Sequence, residues 1–191
     1  FFNALAESGI GLLGIPEELG GVPADMMTQV LVLEEIARMG APAYIMTEGQ
    51  CIHNMQRFGN AEQLAKTAEV GLTGIPAYSL AFTEPQAGSD NNRIATTYTR
   101  KNGKVYLNGQ KTFITGAKDY PYMLVLARNP QPEDPKRCFT LWWLDPNSPG
   151  VKRNNLHKVG WHMVSNCEVF LDNVELEESD MVGQEGYGFI H

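Results

Sequence analysis

The feature that most constrains this chain is a change of hydrophobic pattern near Pro76 and Ala77. Before this point apolar residues recur at three- and four-residue spacings, and after it β-branched and aromatic runs alternate with turn signals. The first pattern is typical of amphipathic helices and the second of short strands. The sequence therefore predicts an α+β fold, with an all-helical part over residues 1–77 and a compact antiparallel β-barrel or sandwich over residues 78–182.

The helical part is predicted to contain three complete helices and the end of a fourth. Residues 26–39 form one periodic segment, and a second helix is expected over residues 44–57. Asn60 can cap the third, with Gln63 at the capping-box position. Residues 1–7 resemble the end of a further helix whose start is absent, so the chain is expected to be a fragment.

Two Asn-Gly pairs, Asn102-Gly103 and Asn108-Gly109, predict hairpin turns in the β part, because this pair suits the two-residue turn between strands. Strands are expected at residues 78–82, 95–100, 104–107, 122–127, 139–144, 151–156 and 168–171.

Composition argues against several classes of protein. The net charge of −7 argues against nucleic acid and anionic membranes as partners, and 43% hydrophobic residues indicate a globular chain. No apolar run reaches about 18 residues, so no transmembrane helix is expected. Three widely spaced cysteines predict neither a disulfide framework nor a zinc site, and they favour a reducing, cytoplasmic location.

Two segments carry the chemistry. In Thr83–Asp90, Gly88 lets the backbone approach a ligand closely, and Thr83 and Ser89 present hydroxyl groups to phosphate or other polar atoms. In Gly109–Thr115, Phe113 offers a packing face and Thr115 a hydrogen-bonding tip, which suits a planar ring system. Either segment alone could instead be a polar turn or ordinary sheet core.

The two segments together, in this order and spacing, resemble the flavin- and thioester-binding segments of the acyl-CoA dehydrogenase family. The loop Ile15–Gly21 and the predicted Asn108–Lys111 turn are also similar to the family's, so the resemblance covers essentially the whole chain. Family members have an N-terminal helical domain, a middle β domain and a C-terminal four-helix bundle. The resemblance thus makes residues 183–191 the start of a bundle that is missing here.

The resemblance implies an FAD-dependent oxidoreductase of lipid metabolism and fatty acid β-oxidation that acts on the Cα–Cβ bond of an acyl-CoA thioester. A glutamate of the missing bundle would take the α-proton while the β-hydride passes to flavin N5, so no catalytic residue and no metal is expected here, and the fragment alone should be inactive. Carried over residue by residue, Ser89 is substrate-binding, and the FAD-binding positions are Phe82, Thr83, Phe113, Ile114 and Thr115.

The implied partners are an acyl-CoA substrate and electron-transfer flavoprotein, with the full-length protein a homotetramer or homodimer. Gly109–Arg128 and Cys167–Gly183 look most like the crotonobetainyl-CoA reductase branch, which indicates a short or carnitine-derived acyl group. Two departures stand out. Gln86 replaces the usual glycine after the proline, and His162 and Asn166 replace an Arg and a Thr.

Other functions stay open on the sequence. A flavin-free binding or scaffold protein could keep the fold without the chemistry, and a flavin-dependent hydroxylase shares the same architecture. The histidines His53, His157 and His162 are expected to be structural or exposed. The adjacent glutamate pairs are expected to be solvated.

Overall fold

A computed structural model describes Ala4, residues 7–41 and residues 48–189. The chain divides into two compact units, Phe1–Ala77 and Tyr78–His191. The predicted α+β class is confirmed, because the described part of the first unit is helical and the second unit is built on an eight-stranded sheet. No helix within these ranges has the length and apolar character of a membrane span.

Within the described ranges, the first unit contains three complete α-helices, α1 (Met26–Arg38), α2 (Glu48–Phe58) and α3 (Ala61–Gly71). Two 3-10 turns, Ile10–Leu12 and Glu17–Leu19, precede them. The predicted start of the second helix, and most of the predicted helix over residues 1–7, lie outside the described residues.

Side-chain caps fix where two of these helices begin. The Asp25 carboxylate accepts from the Thr28 N–H at 2.7 Å at the start of α1. The Asn60 carboxamide accepts from the Gln63 N–H at 2.9 Å, and the Gln63 carboxamide accepts from the Asn60 N–H at 3.0 Å. The predicted capping box is therefore present, and such caps typically contribute about 1 kcal/mol to helix stability.

The loop Ile15–Gly21 is held by one close backbone approach. Ile15 is fully buried, and a Cβ on Gly21 would lie 2.2 Å from the Cβ of Ile15. Only glycine fits at that position without moving the chain.

The second unit is one mixed sheet. Its strands are β1 (Tyr78–Ala81), β2 (Thr97–Lys101), β3 (Lys104–Thr115), β4 (Tyr122–Arg128), β5 (Phe139–Leu144), β6 (Val151–Asn155), β7 (Asn166–Leu176) and β8 (Met181–Val182). The order across the sheet is β6-β7-β3-β2-β4-β5-β8, and β1 pairs with β4 in parallel. The sheet is open, with β6 and β8 at its edges, rather than a closed barrel.

One predicted hairpin is confirmed and the other is wrong. Asn102 and Gly103 have φ of 54° and 77° and join β2 to β3, as a tight turn requires. At Asn108-Gly109 there is no turn, because β3 continues through it and Asn108 lies opposite Thr97 of β2. Gly109 meets a different requirement, since a Cβ there would lie 2.3 Å from the Thr96 hydroxyl oxygen.

Both adjacent tryptophans are core residues. Trp142 is fully buried with its ring centroid 5.0 Å from that of Tyr98, and Trp143 lies 4.5 Å from the Tyr122 ring on the opposite face of β5. Packing therefore accounts for both, as it does for most buried aromatic side chains.

Candidate functional site

The two segments singled out in the sequence lie side by side in the second unit. The backbone N–H of Thr112 donates to the Thr83 carbonyl oxygen at 2.9 Å. The Lys111 ammonium donates to the Phe82 carbonyl oxygen at 3.1 Å. Thr83–Asp90 and Gly109–Thr115 thus form one contiguous structure rather than two independent features.

A buried ion pair lies where the two segments meet. Lys111 Nζ is 2.8 Å from Glu84 Oε1, and these side chains are 0% and 1% exposed. Lys111 Nζ also donates to the Leu126 carbonyl oxygen at 2.7 Å. Glu84 in turn accepts from the backbone N–H groups of Ala95 and Thr96 at 2.7 and 3.0 Å. Every charge in this interior is therefore matched by hydrogen bonds, as buried charges require.

The environment acts on the two ionisable groups in different ways. Burial lowers the pKa of Lys111 to about 8, although the hydrogen bond and charge of Glu84 oppose that shift. Burial disfavours ionisation of Glu84 as well, but the charge and hydrogen bond of Lys111 outweigh it and bring the pKa of the carboxyl below its ordinary value. Both groups are thus charged at neutral pH.

Phe113 is displayed by a strained bulge. Its φ is 58°, and the register between β3 and β7 shifts between Lys111 and Ile114. The Phe113 side chain is 65% exposed, whereas Ile114 is 1% exposed in the core. A residue with a Cβ in the left-handed region costs roughly 1–2 kcal/mol, so the surrounding structure must hold this conformation in place.

The far side of the bulge is fixed by Thr115 and the turn after it. Half-buried Thr115 pairs with Asn166 of β7, and the Gly116 N–H donates to the Ser165 carbonyl oxygen at 2.9 Å. Gly116 has φ of 75°, and a Cβ on it would lie 2.0 Å from the Tyr120 ring. The backbone that carries Thr115, two residues after Phe113, is therefore held by strand pairing and by a closely packed turn.

The other predicted site residues differ in what they can offer a ligand. The half-buried Phe82 ring packs edge-on against Phe189, with 6.4 Å between centroids, and Thr83 is half-buried. Ser89 is exposed, and no heavy atom lies within 4 Å of a Cβ built on Gly88. Because the Ile114 side chain belongs to the core, only its backbone is available for binding.

A second concave region lies beside the stretch that departs from the family pattern. It is a cavity of about 350 Å³ whose lining includes Lys118, Asp119, His157 and His162. The Asp119 carboxylate accepts from the Ser165 N–H at 2.6 Å and is thereby engaged in loop structure. Both histidines are exposed, which agrees with the expectation from the sequence.

The donor set fits a planar, conjugated cofactor such as FAD. An exposed aromatic ring, neighbouring threonines and an uncrowded glycine turn occur together on one rigid framework. A metal site has no such support, because the described residues contain no cluster of three or more His, Cys, Asp or Glu that could hold an ion. The three cysteines are buried and form no disulfide with one another.

Sequence reasoning missed Glu84 and Lys111 as functional candidates. Glu84 lies in Thr83–Asp90 and Lys111 in Gly109–Thr115, but the chemistry of these segments was assigned to their hydroxyl and aromatic residues. The one available signal was a lysine directly before the β-branched and apolar run Thr112–Ile114. That signal does not distinguish a buried lysine from one that reaches solvent.

Comparison with known proteins agrees with this architecture. The family described as acyl-CoA dehydrogenase, N-terminal domain, matches residues 1–75, and the one described as acyl-CoA dehydrogenase, middle domain, matches residues 79–174. The chain is 70% identical over 192 aligned positions to the probable acyl-CoA dehydrogenase YdiO of Escherichia coli K12, covering 100% of this chain and 50% of that protein.

Solved structures give the same result. The crystal structure of an acyl-CoA dehydrogenase from Geobacillus kaustophilus matches with a TM-score of 0.86 and 29% identity, covering 100% of this chain and 51% of that one. Glutaryl-coenzyme A dehydrogenase in complex with glutaryl-CoA matches with a TM-score of 0.80 and 28% identity, covering 97% and 48%. The chain spans about half the length of these relatives, and it belongs to the acyl-CoA dehydrogenase family.

Proposed function

We propose that this chain is the N-terminal part of an FAD-dependent acyl-CoA dehydrogenase or enoyl-CoA reductase that acts on the Cα–Cβ bond of an acyl-CoA thioester. The observation that carries the proposal is Phe113, an aromatic ring displayed by a strained bulge beside Thr115. Strained backbone of this kind concentrates at functional sites, where the cost is kept because it sets a geometry. Family membership supplies the chemistry that such a geometry would serve.

In this proposal the residues bind and orient, and they do not react. The Phe113 ring packs against the isoalloxazine, and Thr115 and Thr83 hydrogen-bond to its polar edge. Phe82 and Ile114 contribute backbone groups, because their side chains pack within the protein. Ser89 contacts the CoA portion of the substrate. When bound, FAD supplies the acceptor for the substrate hydride.

The α-proton needs a base that these residues do not provide. Glu84 is saturated with hydrogen bonds and paired with Lys111, so it has no capacity to take a substrate proton. We assign the base to a glutamate in the remainder of the full-length protein, with residues 183–191 leading into a helical bundle. The middle domain then comprises residues 78–182 and the N-terminal domain residues 1–77.

The finer assignments rest on resemblance within the family. We propose electron-transfer flavoprotein as redox partner, a homotetrameric or homodimeric full-length protein in the cytoplasm, and a short or carnitine-derived acyl group as in crotonobetainyl-CoA reductase. A panel of acyl-CoA thioesters that includes crotonobetainyl-CoA, tested with the complete gene product, identifies the acyl group.

The proposal is tested on the complete gene product by its visible absorbance and its response to acyl-CoA. We expect a yellow protein whose visible flavin absorbance bleaches when a saturated acyl-CoA is added. Phe113→Ala should weaken FAD binding at least about tenfold, because it removes the aromatic ring that packs against one side of the isoalloxazine. Tyr106→Ala is the matched control, since Tyr106 lies on the same strand, seven residues or about 23 Å away.

A colourless full-length protein that remains colourless after incubation with FAD would refute the proposal and support a flavin-free binding or scaffold protein. The 191-residue chain by itself should bind FAD weakly, since it presents contacts to one side of the ring only. Stoichiometric flavin retained by this chain after dialysis would contradict that expectation.

A further inference from the structure

The Glu84–Lys111 ion pair joins the two binding segments at the base of the Phe113 bulge. We infer that Glu84 and Lys111 are positioning residues, which hold the Phe113 ring and the Thr115 hydroxyl in register with Phe82 and Thr83. The inference rests on the proposed function, because it concerns how the chain prepares its side of the cofactor site.

Lys111 ties three parts of the second unit together. Its ammonium group has three N–H donors, and the three acceptors within reach are the Phe82 carbonyl, the Glu84 carboxylate and the Leu126 carbonyl. Phe82 follows β1, Leu126 belongs to β4, and Lys111 itself lies on β3, two residues before Phe113. A displacement of β3 at this point would break all three hydrogen bonds together.

Glu84 is saturated in the same way. Oε1 accepts from Lys111 and from the Thr96 N–H, and Oε2 accepts from the Ala95 N–H and from the Gln86 carboxamide at 2.6 Å. The four bonds match the acceptor capacity of an ionised carboxylate. They also give Gln86, one of the departures from the family pattern, a role within the same network.

Stability alone does not explain this arrangement. Apolar residues of the same volume often serve the fold as well as a buried ion pair, because desolvation offsets the attraction between the charges. What the pair adds is a unique geometry, and the backbone beside it needs one. Phe113 occupies a left-handed conformation that persists only while its neighbours on both sides are fixed. Ile114 in the core fixes one side and Lys111 fixes the other.

The test removes both charges at once, since a single substitution would leave a buried charge without a partner and could unfold the chain. The variant is Glu84→Gln/Lys111→Met. Its matched control is Lys104→Met/Glu177→Gln, which makes the same chemical changes in an exposed ion pair between Lys104 of β3 and Glu177, which follows β7. These side chains are 36% and 56% exposed.

The first readout needs no cofactor. Hydrogen exchange of the Thr112 amide in the 191-residue chain reports whether Thr112 stays bonded to Thr83. We expect exchange at least about tenfold faster in the Glu84/Lys111 double variant, with exchange in the core strands β4 and β5 unchanged, and no difference in the control. Unaltered exchange at Thr112 in a folded double variant would overturn the inference.

The second readout is the FAD dissociation constant of the complete gene product, measured by flavin fluorescence. We expect at least about tenfold weaker binding in the Glu84/Lys111 variant, comparable to the loss in Phe113→Ala, and wild-type affinity in the control. Unchanged affinity in the double variant while Phe113→Ala still binds weakly would overturn the positioning role and leave the proposed function standing. Unchanged affinity in both would instead overturn the proposed function.

Discussion

Replacing Phe113 with glycine tests whether the bulge stores backbone strain. In an ordinary strand, glycine is roughly 0.5–1 kcal/mol less stable than alanine. At a left-handed position alanine incurs a penalty of roughly 1–2 kcal/mol that glycine avoids. Phe113 has φ of 58°, so the usual order of stability between the alanine and glycine variants should reverse. The free energy of unfolding of Phe113→Gly should be about 0.5–1 kcal/mol larger than that of Phe113→Ala.

The magnitude of the ring's own contribution follows from its exposure. Full burial of a phenylalanine side chain contributes about 1.5–3 kcal/mol, and 65% of this one remains in solvent. Removing the ring should therefore cost only about 0.5–1 kcal/mol, which places Phe113→Gly close to the wild type in stability. A core Phe→Ala substitution typically costs about 3–5 kcal/mol.

The assay is equilibrium urea unfolding of the 191-residue chain with wild type, Phe113→Ala and Phe113→Gly. Tyr106→Ala and Tyr106→Gly form the control pair, because Tyr106 lies on the same strand without a positive φ. There glycine should be the less stable variant. If Phe113→Gly proved less stable than Phe113→Ala by the ordinary margin, the claim of stored strain at the bulge would be refuted.

Three further predictions follow from the described contacts. In the complete gene product, Thr115→Ala should slow flavin reduction roughly ten- to a hundredfold, because a lost hydrogen bond costs about 1–3 kcal/mol. Ser89→Ala should mainly weaken ligand affinity. Stopped-flow flavin bleaching and ligand titration separate the two effects, and the reverse pattern would show that the two roles are misassigned. Gly88→Ala should keep the unfolding free energy within about 0.5 kcal/mol of the wild-type value, because the added Cβ meets open space. Gly109→Ala should lower the unfolding free energy by more than about 1 kcal/mol, because its Cβ would collide with Thr96. Equal effects of the two substitutions in urea unfolding would contradict this. Burial raises the pKa of Tyr98 to about 12, so as the pH rises the phenol ionises in the unfolded chain before it does so in the folded chain. The difference in unfolding free energy between wild type and Tyr98→Phe should therefore be full below pH 10 and shrink by up to about 2 kcal/mol as the pH rises to 11.5. A constant difference would show that the pKa is not raised.

Local chemistry in the sequence was enough for much of the fold. The Asn60 and Gln63 capping box and the Asn102-Gly103 turn depend on residues that are adjacent or nearly so, and both formed as predicted. Asn108-Gly109 carries the same local signal, yet the strand runs through it. Its partners are distant in sequence, because the Asn108 carboxamide accepts from the Asn173 N–H at 2.9 Å. Tertiary pairing overrides turn propensity there, and a local signal cannot report it.

For the candidate site, residue types were readable and their environment was not. The aromatic ring of Phe113 and the hydroxyl of Thr115 are visible in the sequence as groups that suit a planar ligand. The left-handed backbone of Phe113, and the burial of Lys111 against Glu84, arise only when strands far apart in the chain come together. These two features fix the positions of the Phe113 ring and of the two segments, and neither can be deduced from residue types alone.

The pairing of β3 with β7 also sets the order in which the site can be made during synthesis. Thr115 lies opposite Asn166, so the partner strand is completed about fifty or more residues after the bulge has been translated. At roughly 5–20 residues per second, the nascent chain spends about 3–10 s with Phe113 made and β7 not yet available. Loop closure over that distance is a late event, so the ring platform should be among the last parts of the sheet to form. Slowing of the ribosome between residues 116 and 166 would lengthen the period in which the core side chains of β3 are exposed to chaperones and to other nascent chains.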